Sequence, residues 1–325
     1  MLIKHLPFAF QNIDVESVLC PGCQADKFTG ITKTIDYDYF TTDIKFEVVR
    51  CIECGLIYVN PRPKLSEVPK IYPAEYSAYH FSNIRNPVIK RARNFMQGGK
   101  AKRILSCITD FSKEVRIIDV GCGSPVLLSL IRNFSRHKLD LYGNDFSPDV
   151  LESIKDAGFK VIPGAFEDMQ WQDDFFDVIV MNQLLEHLFD LPANLRKTFK
   201  LLKPKGILFI ETPSEEGLDA EIFRINHWGG YHIPRHLQIF SSSTIRKILQ
   251  RYGFMIEAIE YIPSPNFWTS SVRNFLYRKG IPYAFTRHMN YRNICCMLTF
   301  TLLDTVTRTF HPTSNMRVIA RKANV

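Results

Sequence analysis

Val115 to Leu128 reads V-R-I-I-D-V-G-C-G-S-P-V-L-L, and the fold turns on how this stretch is read. Val115-Arg116-Ile117-Ile118 is an apolar, β-branched run of the kind that forms a buried parallel strand. It runs into Asp119, then Gly121 and Gly123, then a second apolar run that predicts the opening of a helix. A strand, a glycine turn and a helix form the first unit of a nucleotide-binding α/β domain. The glycines let the backbone bend tightly and approach a ligand, with a carboxylate at the strand's carboxyl end. By itself the D-x-G-x-G string also suits an ordinary strand-to-helix turn.

The next hundred residues sharpen the reading. A second strand, Leu139 to Gly143, ends in Asn144-Asp145. Asp145 lies about twenty residues past the glycines, where such folds set an acid against ribose hydroxyls. Four blocks then stand in order: D-V-G-C-G, G-N-D-F-S-P-D-V-L, D-D-F-F-D-V-I-V-M-N-Q-L-L-E-H-L and L-K-P-K-G-I-L-F-I-E-T-P. In order and spacing they resemble the class I S-adenosylmethionine-dependent methyltransferases. One departure is Pro125, which stands where that family usually has a third glycine. The resemblance implies a Rossmann-like α/β sheet of seven strands with the last antiparallel. It also implies that S-adenosylmethionine is held by Asp119, Gly121, Gly123 and Asp145, with Phe146, Phe166 and Gln183 beside them. After the third strand, Phe159 to Ile162, the family commonly carries an acid that meets the adenine amino group. Ala165 stands there instead, so backbone amides near Phe166, or Glu167, are expected to serve, with Phe146 supplying an apolar face. Core packing is the alternative for Phe166.

With 325 residues, 46% of them hydrophobic and 23% charged, the chain is an ordinary globular sequence of one large domain or two. The first ten residues hold one lysine and no long apolar run, so no signal peptide is expected there. No stretch offers the roughly eighteen uncharged apolar residues of a membrane span. Eight cysteines, four of them in C-x-x-C pairs, suit a reducing compartment with metal better than a disulfide scaffold. The cytoplasm is the expected location.

The paired cysteines are Cys20-Pro21-Gly22-Cys23 and Cys51-Ile52-Glu53-Cys54, twenty-seven residues apart. Two such knuckles supply the four soft ligands that a tetrahedral zinc site prefers, and with all four positions filled the Zn2+ would be structural. A disulfide pair or iron–sulfur ligation is the alternative. Short strands over 44–50 and 56–59 predict a zinc ribbon. The ribbon, the following N-P-R-P and the aromatic run Tyr72, Tyr76, Tyr79 and Phe81 resemble the amino-terminal part of sugar C-methyltransferases and related bacterial envelope-polysaccharide enzymes. The expected organisation is therefore a zinc ribbon with its aromatic segment over 1–80, a helical linker over 81–113 and a methyltransferase domain over 114–325. Asn86 to Phe111 predicts one or two basic amphipathic helices.

Along the domain, Ser147-Pro148-Asp149 signals a helix start. A fourth strand, Phe176 to Met181, delivers Asn182, Gln183, Glu186 and His187 to the ligand side of the sheet. Leu195 to Leu202 predicts a helix and Ile207 to Ile210 the fifth strand. A lid-like loop comes next, His227-Trp228-Gly229-Gly230-Tyr231-His232-Ile233-Pro234-Arg235-His236. His236 matches a histidine that resembles the catalytic one of the sugar C-methyltransferases, where the preceding residue is usually glutamate. Here it is Arg235, which points away from carbon methylation and toward an anionic acceptor. The candidate general bases, in order, are His236, His232, His187 and Tyr231. Thr244 to Tyr252 predicts a helix, Phe254 to Tyr261 the sixth strand and 315–322 the seventh.

The net charge of +8 is concentrated: between Ser264 and Thr313 six cationic side chains face Asp304 alone. Within this basic insertion, Ile294 to Phe310 is apolar except for Thr301, Asp304, Thr305 and Arg308, and Asp304 and Arg308 are spaced to pair along the helix. A helix packed over the sheet or in a dimer interface is one expectation. The other is a peripheral contact with anionic lipid. Two further function classes compete. A zinc ribbon with excess positive charge suits an RNA or DNA methyltransferase, but Asn182-Gln183-Leu184-Leu185 lacks the Asn/Asp-Pro-Pro-Tyr string of amino-methylating DNA enzymes, and no Pro-Cys nucleophile stands in the cleft. A non-catalytic scaffold conflicts with the presence of Asp119, Gly121, Gly123 and Asp145. The best-supported acceptor is a small molecule, a nucleotide- or lipid-linked sugar first.

Overall fold

The computed structural model describes residues 10–73, 76, 87–290 and 292–323; Tyr79, Phe81 and Asn86 lie outside them. Near the amino terminus, β1 (Phe28–Thr34), β2 (Phe46–Cys51) and β3 (Ile57–Val59) form an antiparallel meander. The meander carries both cysteine knuckles at one end. The helix α1 (Pro87–Cys107) is continuous and leads into the main sheet. Its strands are β4 (Val115–Val120), β5 (Leu139–Asp145), β6 (Lys160–Pro163), β7 (Phe176–Asn182) and β8 (Leu202–Pro213). A two-residue strand, β9 (Gln238–Ile239), precedes β10 (Phe254–Tyr261) and β11 (Asn315–Lys322).

The seven-stranded sheet runs β10-β11-β8-β7-β4-β5-β6. Its inner pairs are parallel, and β11 is antiparallel to both β8 and β10. This is the class I methyltransferase arrangement that the four sequence blocks imply. The central strands are buried on both faces, which is why β4 and β7 read as continuous apolar runs rather than alternating ones. The order reverses between β4 and β7. There the crevice beyond the strands' carboxyl ends becomes a ligand site.

Helix boundaries follow local chemistry. The helix α2 (Val126–Phe134) starts immediately after Pro125, which occupies its N-cap. Next, α3 (Pro148–Asp156) begins after Ser147, although the serine hydroxyl makes no capping bond. A fourth helix, α4 (Leu191–Leu201), starts one turn earlier than the apolar pattern predicts. Asp190 caps it by accepting a hydrogen bond from the Ala193 amide at 2.8 Å. Ahead of β10, α5 (Ser242–Arg251) opens on a capping box of Ser241 and Thr244.

The ribbon is not a separate bead. The strand β9, from the far side of the chain, pairs antiparallel with β3, with Gln238 opposite Tyr58 and Ile239 opposite Ile57. One hydrophobic core then joins Cys20, Cys51 and Leu56 of the ribbon to Ile245, Ile248 and Leu249 of α5. Gly22 lies so close to α5 that a Cβ there would meet the Ile248 side chain at 2.9 Å.

The basic insertion corrects one expectation. It forms α6 (Pro265–Arg278) and α7 (Ile294–Thr307), and these two helices pack on each other. Asp304 does not pair with Arg308. It turns inward, is buried, and accepts from the Ser264 amide at 2.6 Å and Trp268 Nε1 at 2.7 Å. The reason is satisfaction of buried donors: a tryptophan N–H and a helix-start amide need an acceptor inside. The helix therefore presents Leu298, Leu302 and Val306 outward, with Phe310 just beyond its end.

Candidate active site

The crevice at the β4–β7 reversal is built from the glycine turn. Gly121 and Gly123 take φ of +62° and +59°, a region that side-chain-bearing residues rarely enter. A Cβ on Gly123 would meet nothing within 4 Å, so the turn faces open space, whereas one on Gly121 would strike Leu184 at 2.8 Å. The Asp145 carboxylate, at the end of β5, accepts from the Gly123 amide at 3.0 Å and the Ser147 amide at 3.0 Å. Asp119 is buried, and its Oδ1 has no hydrogen-bond donor among the described residues. Burial pushes its carboxyl up to about 7, with Lys100 opposing and Asp145 adding to the rise. Lys100, reaching in from α1, is itself buried; it bonds Asn182 and pairs with Glu211 at 2.7 Å.

The other predicted cofactor residues separate. Phe146 follows Asp145 and is 66% exposed, leaving its ring available to a flat ligand. Phe166 is buried in the hydrophobic core with Ile162 and Met169, so its side chain packs and only its backbone can face the crevice. This is the core packing given above as the alternative for Phe166, and the ring sits on the one-turn helix over 166–168. Gln183, at φ +51°, donates its side-chain amide to Asn315 at 3.0 Å and its backbone amide to Glu211 at 2.7 Å.

Beyond β7 the structure gathers three of the four candidate bases. His187 and His236 have ring centres 4.7 Å apart, and His232 lies 4.9 Å from His236. Tyr231 is not with them. Its ring packs on Trp228 and its hydroxyl donates to the Arg224 carbonyl at 2.9 Å. Glu186, fully buried, accepts from Thr212 at 2.9 Å through one oxygen and points the other at the two imidazoles. Burial drives Glu186 up to about 8 and His187 down to about 3; it also holds His236 well below its ordinary range.

His232 has a different environment. Its Nδ1 bonds the Asp38 carboxylate at 2.7 Å, and Asp38 is bonded in turn by Arg273. Burial would raise Asp38, but Arg273 and His232 hold it below the ordinary carboxylate range. The His232 backbone sits at φ +39°, a strained setting for a residue with a Cβ.

Arg235 overturns the reading that it awaits an anion. Its side chain is fully buried and grips Asp36 through both terminal nitrogens at 3.1 and 2.9 Å. Asp36 also accepts from the amides of Asp38, Tyr39 and Thr41 and from the Thr41 hydroxyl. The guanidinium is neutralised inside the protein, and removing either partner would strand a buried charge at about 3–5 kcal/mol. Asp36 and Asp38 are the neighbours that sequence reading did not connect with the loop over 227–236, whereas Glu186 stood beside His187 in that reading.

At the ribbon, Cys20 faces Cys54 at 3.5 Å and Cys23 faces Cys51 at 3.4 Å between sulfurs. No disulfide joins these four, whose sulfur separations exceed the roughly 2.05 Å of a disulfide bond. One ion about 2.3 Å from each sulfur would set neighbouring sulfurs about 3.8 Å apart, close to this arrangement.

A family model described as a methyltransferase domain matches residues 90–259, just over half of the chain. The chain belongs to the methyltransferase-domain family. The matched residues of this methyltransferase domain include the glycine turn, Asp145, Glu186 and all three clustered histidines; the cysteine ribbon and β11 lie outside them. A ubiquinone biosynthesis O-methyltransferase from Azorhizobium caulinodans is 27% identical over 172 residues, covering 51% of this chain and 61% of that protein. A glycine/sarcosine/dimethylglycine N-methyltransferase from Actinopolyspora halophila is 27% identical over 165 residues, covering 47% of this chain and 28% of that protein. The chain thus spans less than two thirds of the length of these relatives. Among solved structures, one from Galdieria sulphuraria, assigned provisionally as a sarcosine dimethylglycine methyltransferase, is 14% identical with a TM-score of 0.50, covering 74% of this chain and 92% of that one. That likeness is one of fold.

Proposed function

We propose that this protein transfers a methyl group from S-adenosylmethionine to a small-molecule acceptor. The observation that carries the reading is Asp119: a buried carboxylate with a donor-less oxygen beside an open glycine turn, facing the same crevice as Asp145. Asp119, Gly121, Gly123 and Asp145 would hold the cofactor, Phe146 would cover its adenine, and Gln183 would line the exit toward the histidines. When bound, S-adenosylmethionine supplies an electrophilic methyl on a sulfonium that departs as a neutral thioether. The protein's own task is to align the acceptor and remove its proton. Of the clustered imidazoles, His232 fits that task best. The Asp38 carboxylate fixes its Nδ1–H and leaves Nε2 to accept, the division of labour of an Asp–His pair.

A sugar, nucleotide- or lipid-linked, is the acceptor we favour. The histidines are walled by Tyr39, Tyr72 and Tyr76, with Tyr76 6.1 Å from His232 between ring centres, and Tyr72 bonds His187 at 3.0 Å. Aromatic faces interleaved with polar groups suit a hydroxylated ring. The four ribbon thiols we assign to a structural zinc ion, and the cytoplasm remains the proposed location. No helix among the described residues is long and apolar enough to cross a membrane. The ridge of Leu298, Leu302, Val306 and Phe310, in a segment rich in exposed arginines such as Arg287 and Arg308, instead supports peripheral contact with anionic lipid. Sedimentation with vesicles containing anionic lipid should then be weakened by salt and lost in Leu302→Glu/Phe310→Glu; binding indifferent to lipid charge would overturn it.

Calorimetry tests the cofactor site. Asp119 must be ionised to face the cofactor's ammonium group, which the demethylated form keeps, and its carboxyl is raised to about 7 in the free protein, where Lys100, Asp145 and Cys122 are its charged or titratable neighbours. Affinity for S-adenosylhomocysteine should therefore fall as pH drops below about 7, by up to about tenfold per unit. Asp119→Asn should weaken binding at pH 8 by about ten- to a hundredfold and flatten that dependence. A wild-type protein that gives no heat with either form of the cofactor at pH 8 would sink the reading.

A further inference from the structure

Glu186 is fully buried, and no lysine or arginine among the described residues comes within ion-pair distance of it. Its Oε1 has no hydrogen-bond donor among the described residues. His187 Nε2 and His236 Nε2 each lie 4.0 Å from that oxygen, too far for a hydrogen bond, and the three atoms fall within 4.8 Å of one another. The opposite ring nitrogens decide what those Nε2 atoms are. His236 Nδ1 lies 2.8 Å from the Gly230 carbonyl and His187 Nδ1 3.1 Å from the Arg235 carbonyl. A carbonyl oxygen only accepts, so Nδ1 carries the proton in both rings; the Tyr72 hydroxyl, 3.0 Å from His187 Nδ1, then accepts from the same N–H, and each Nε2 turns a lone pair toward Glu186. Three electron-pair donors thus converge on one buried point with no cationic side chain of the described residues between them.

We propose that Glu186, His187 and His236 bind a divalent transition-metal ion. Two imidazoles and a carboxylate, each imidazole fixed by a backbone carbonyl at its far nitrogen, form the ligand set and the outer support of such sites. Imidazole ligation favours ions of the Zn2+, Co2+ or Fe2+ kind over Mg2+ or Ca2+. Metal–ligand bonds of about 2.0–2.2 Å put ligand atoms about 3.0–3.5 Å apart, so the three side chains close in by less than about 1 Å. Three protein ligands leave coordination positions open, as in catalytic rather than structural sites. The ion would act on the acceptor, and this role, unlike occupancy, rests on the methyl-transfer reading. An acceptor hydroxyl oxygen enters the open position and the ion makes its proton more acidic. That proton passes to His232 Nε2, with no change of oxidation state.

The test uses the full-length protein with its thiolate site reconstituted by one equivalent of Co2+, then titrated with further Co2+ alone. A second equivalent should bind with weak visible bands and without thiolate-to-cobalt charge transfer. His236→Gln and Glu186→Gln should abolish it. Thr212→Val, which removes the hydroxyl bonded to Glu186, should weaken it by about ten- to a hundredfold and guards against misfolding of the ligand variants. Wild-type protein that binds S-adenosylhomocysteine yet takes up no second Co2+ would overturn the metal site and leave the methyltransferase reading intact. So would a second Co2+ whose spectrum survives both ligand substitutions. A second Co2+ in protein that gives no heat with S-adenosylhomocysteine would uphold the site and overturn the reading on which its acceptor role rests.

Discussion

His232→Ala should lower turnover by about a hundred- to ten-thousandfold, the range that a positioned base contributes, with calorimetric affinity for the cofactor unchanged. The two readouts separate because the imidazole belongs to the acceptor side of the crevice. Its ring neighbours are Tyr39, Tyr76, His187 and His236, not the glycine turn. Asp38→Asn should follow it. The amide can still hold Nδ1, but only by presenting its oxygen, and it no longer stabilises the imidazolium formed when the proton arrives. A merely structural role for the pair predicts that Asp38→Asn leaves the pH–rate profile in place, so an unshifted profile with intact turnover would remove His232 from the base role.

Emptying the proposed zinc site of the ribbon should have the second large effect. Cys51→Ser, or stripping the thiolate site with a strong chelator, should abolish methyl transfer while the main sheet still binds the cofactor. An ion held by the four thiolates would gather two knuckles of a small meander, so its binding energy would be in large part folding energy of that meander. That meander delivers Asp36 and Asp38, and β3 receives β9 through Gln238 and Ile239, two residues past His236. Arg50 adds a pair with Glu215 at 2.5 Å, and Arg251 donates to the Gly22 carbonyl at 3.2 Å. With the metal gone, the histidine loop loses the strand against which it is registered. Amide exchange at 238 and 239 should accelerate in step with the loss of activity. Normal turnover by the stripped protein would refute this coupling.

The main sheet was legible because its signals are local. The apolar run of β4, the glycines after it and Asp145 sit within about thirty residues, and their meaning does not depend on distant chain. The cysteine pairs carry their spacing with them in the same way. The acceptor side was legible only by halves. The loop over 227–236 announced its histidines, but nothing near them announces Asp38, 194 residues upstream, or Asp36, 199 residues from Arg235. Read alone, D-Y-D-Y is a polar turn between strands and Arg235 is a free cation. Only the pairing of β9 with β3 brings them together. Asp304 misled for a related reason. Its helical spacing to Arg308 is a local rule worth a few tenths of a kcal/mol, and satisfying buried Trp268 and the start of α6 outweighs it.

The pairing of β9 with β3 also sets an order of events at the ribosome. Asp36 and Asp38 are made early, while the arginine and histidine that neutralise them emerge roughly two hundred residues later. For most of synthesis the amino-terminal meander must keep these carboxylates hydrated and its β3 edge unpaired. The histidine loop can therefore register on β3 only once residues 232–239 are made, long after the carboxylates that it meets.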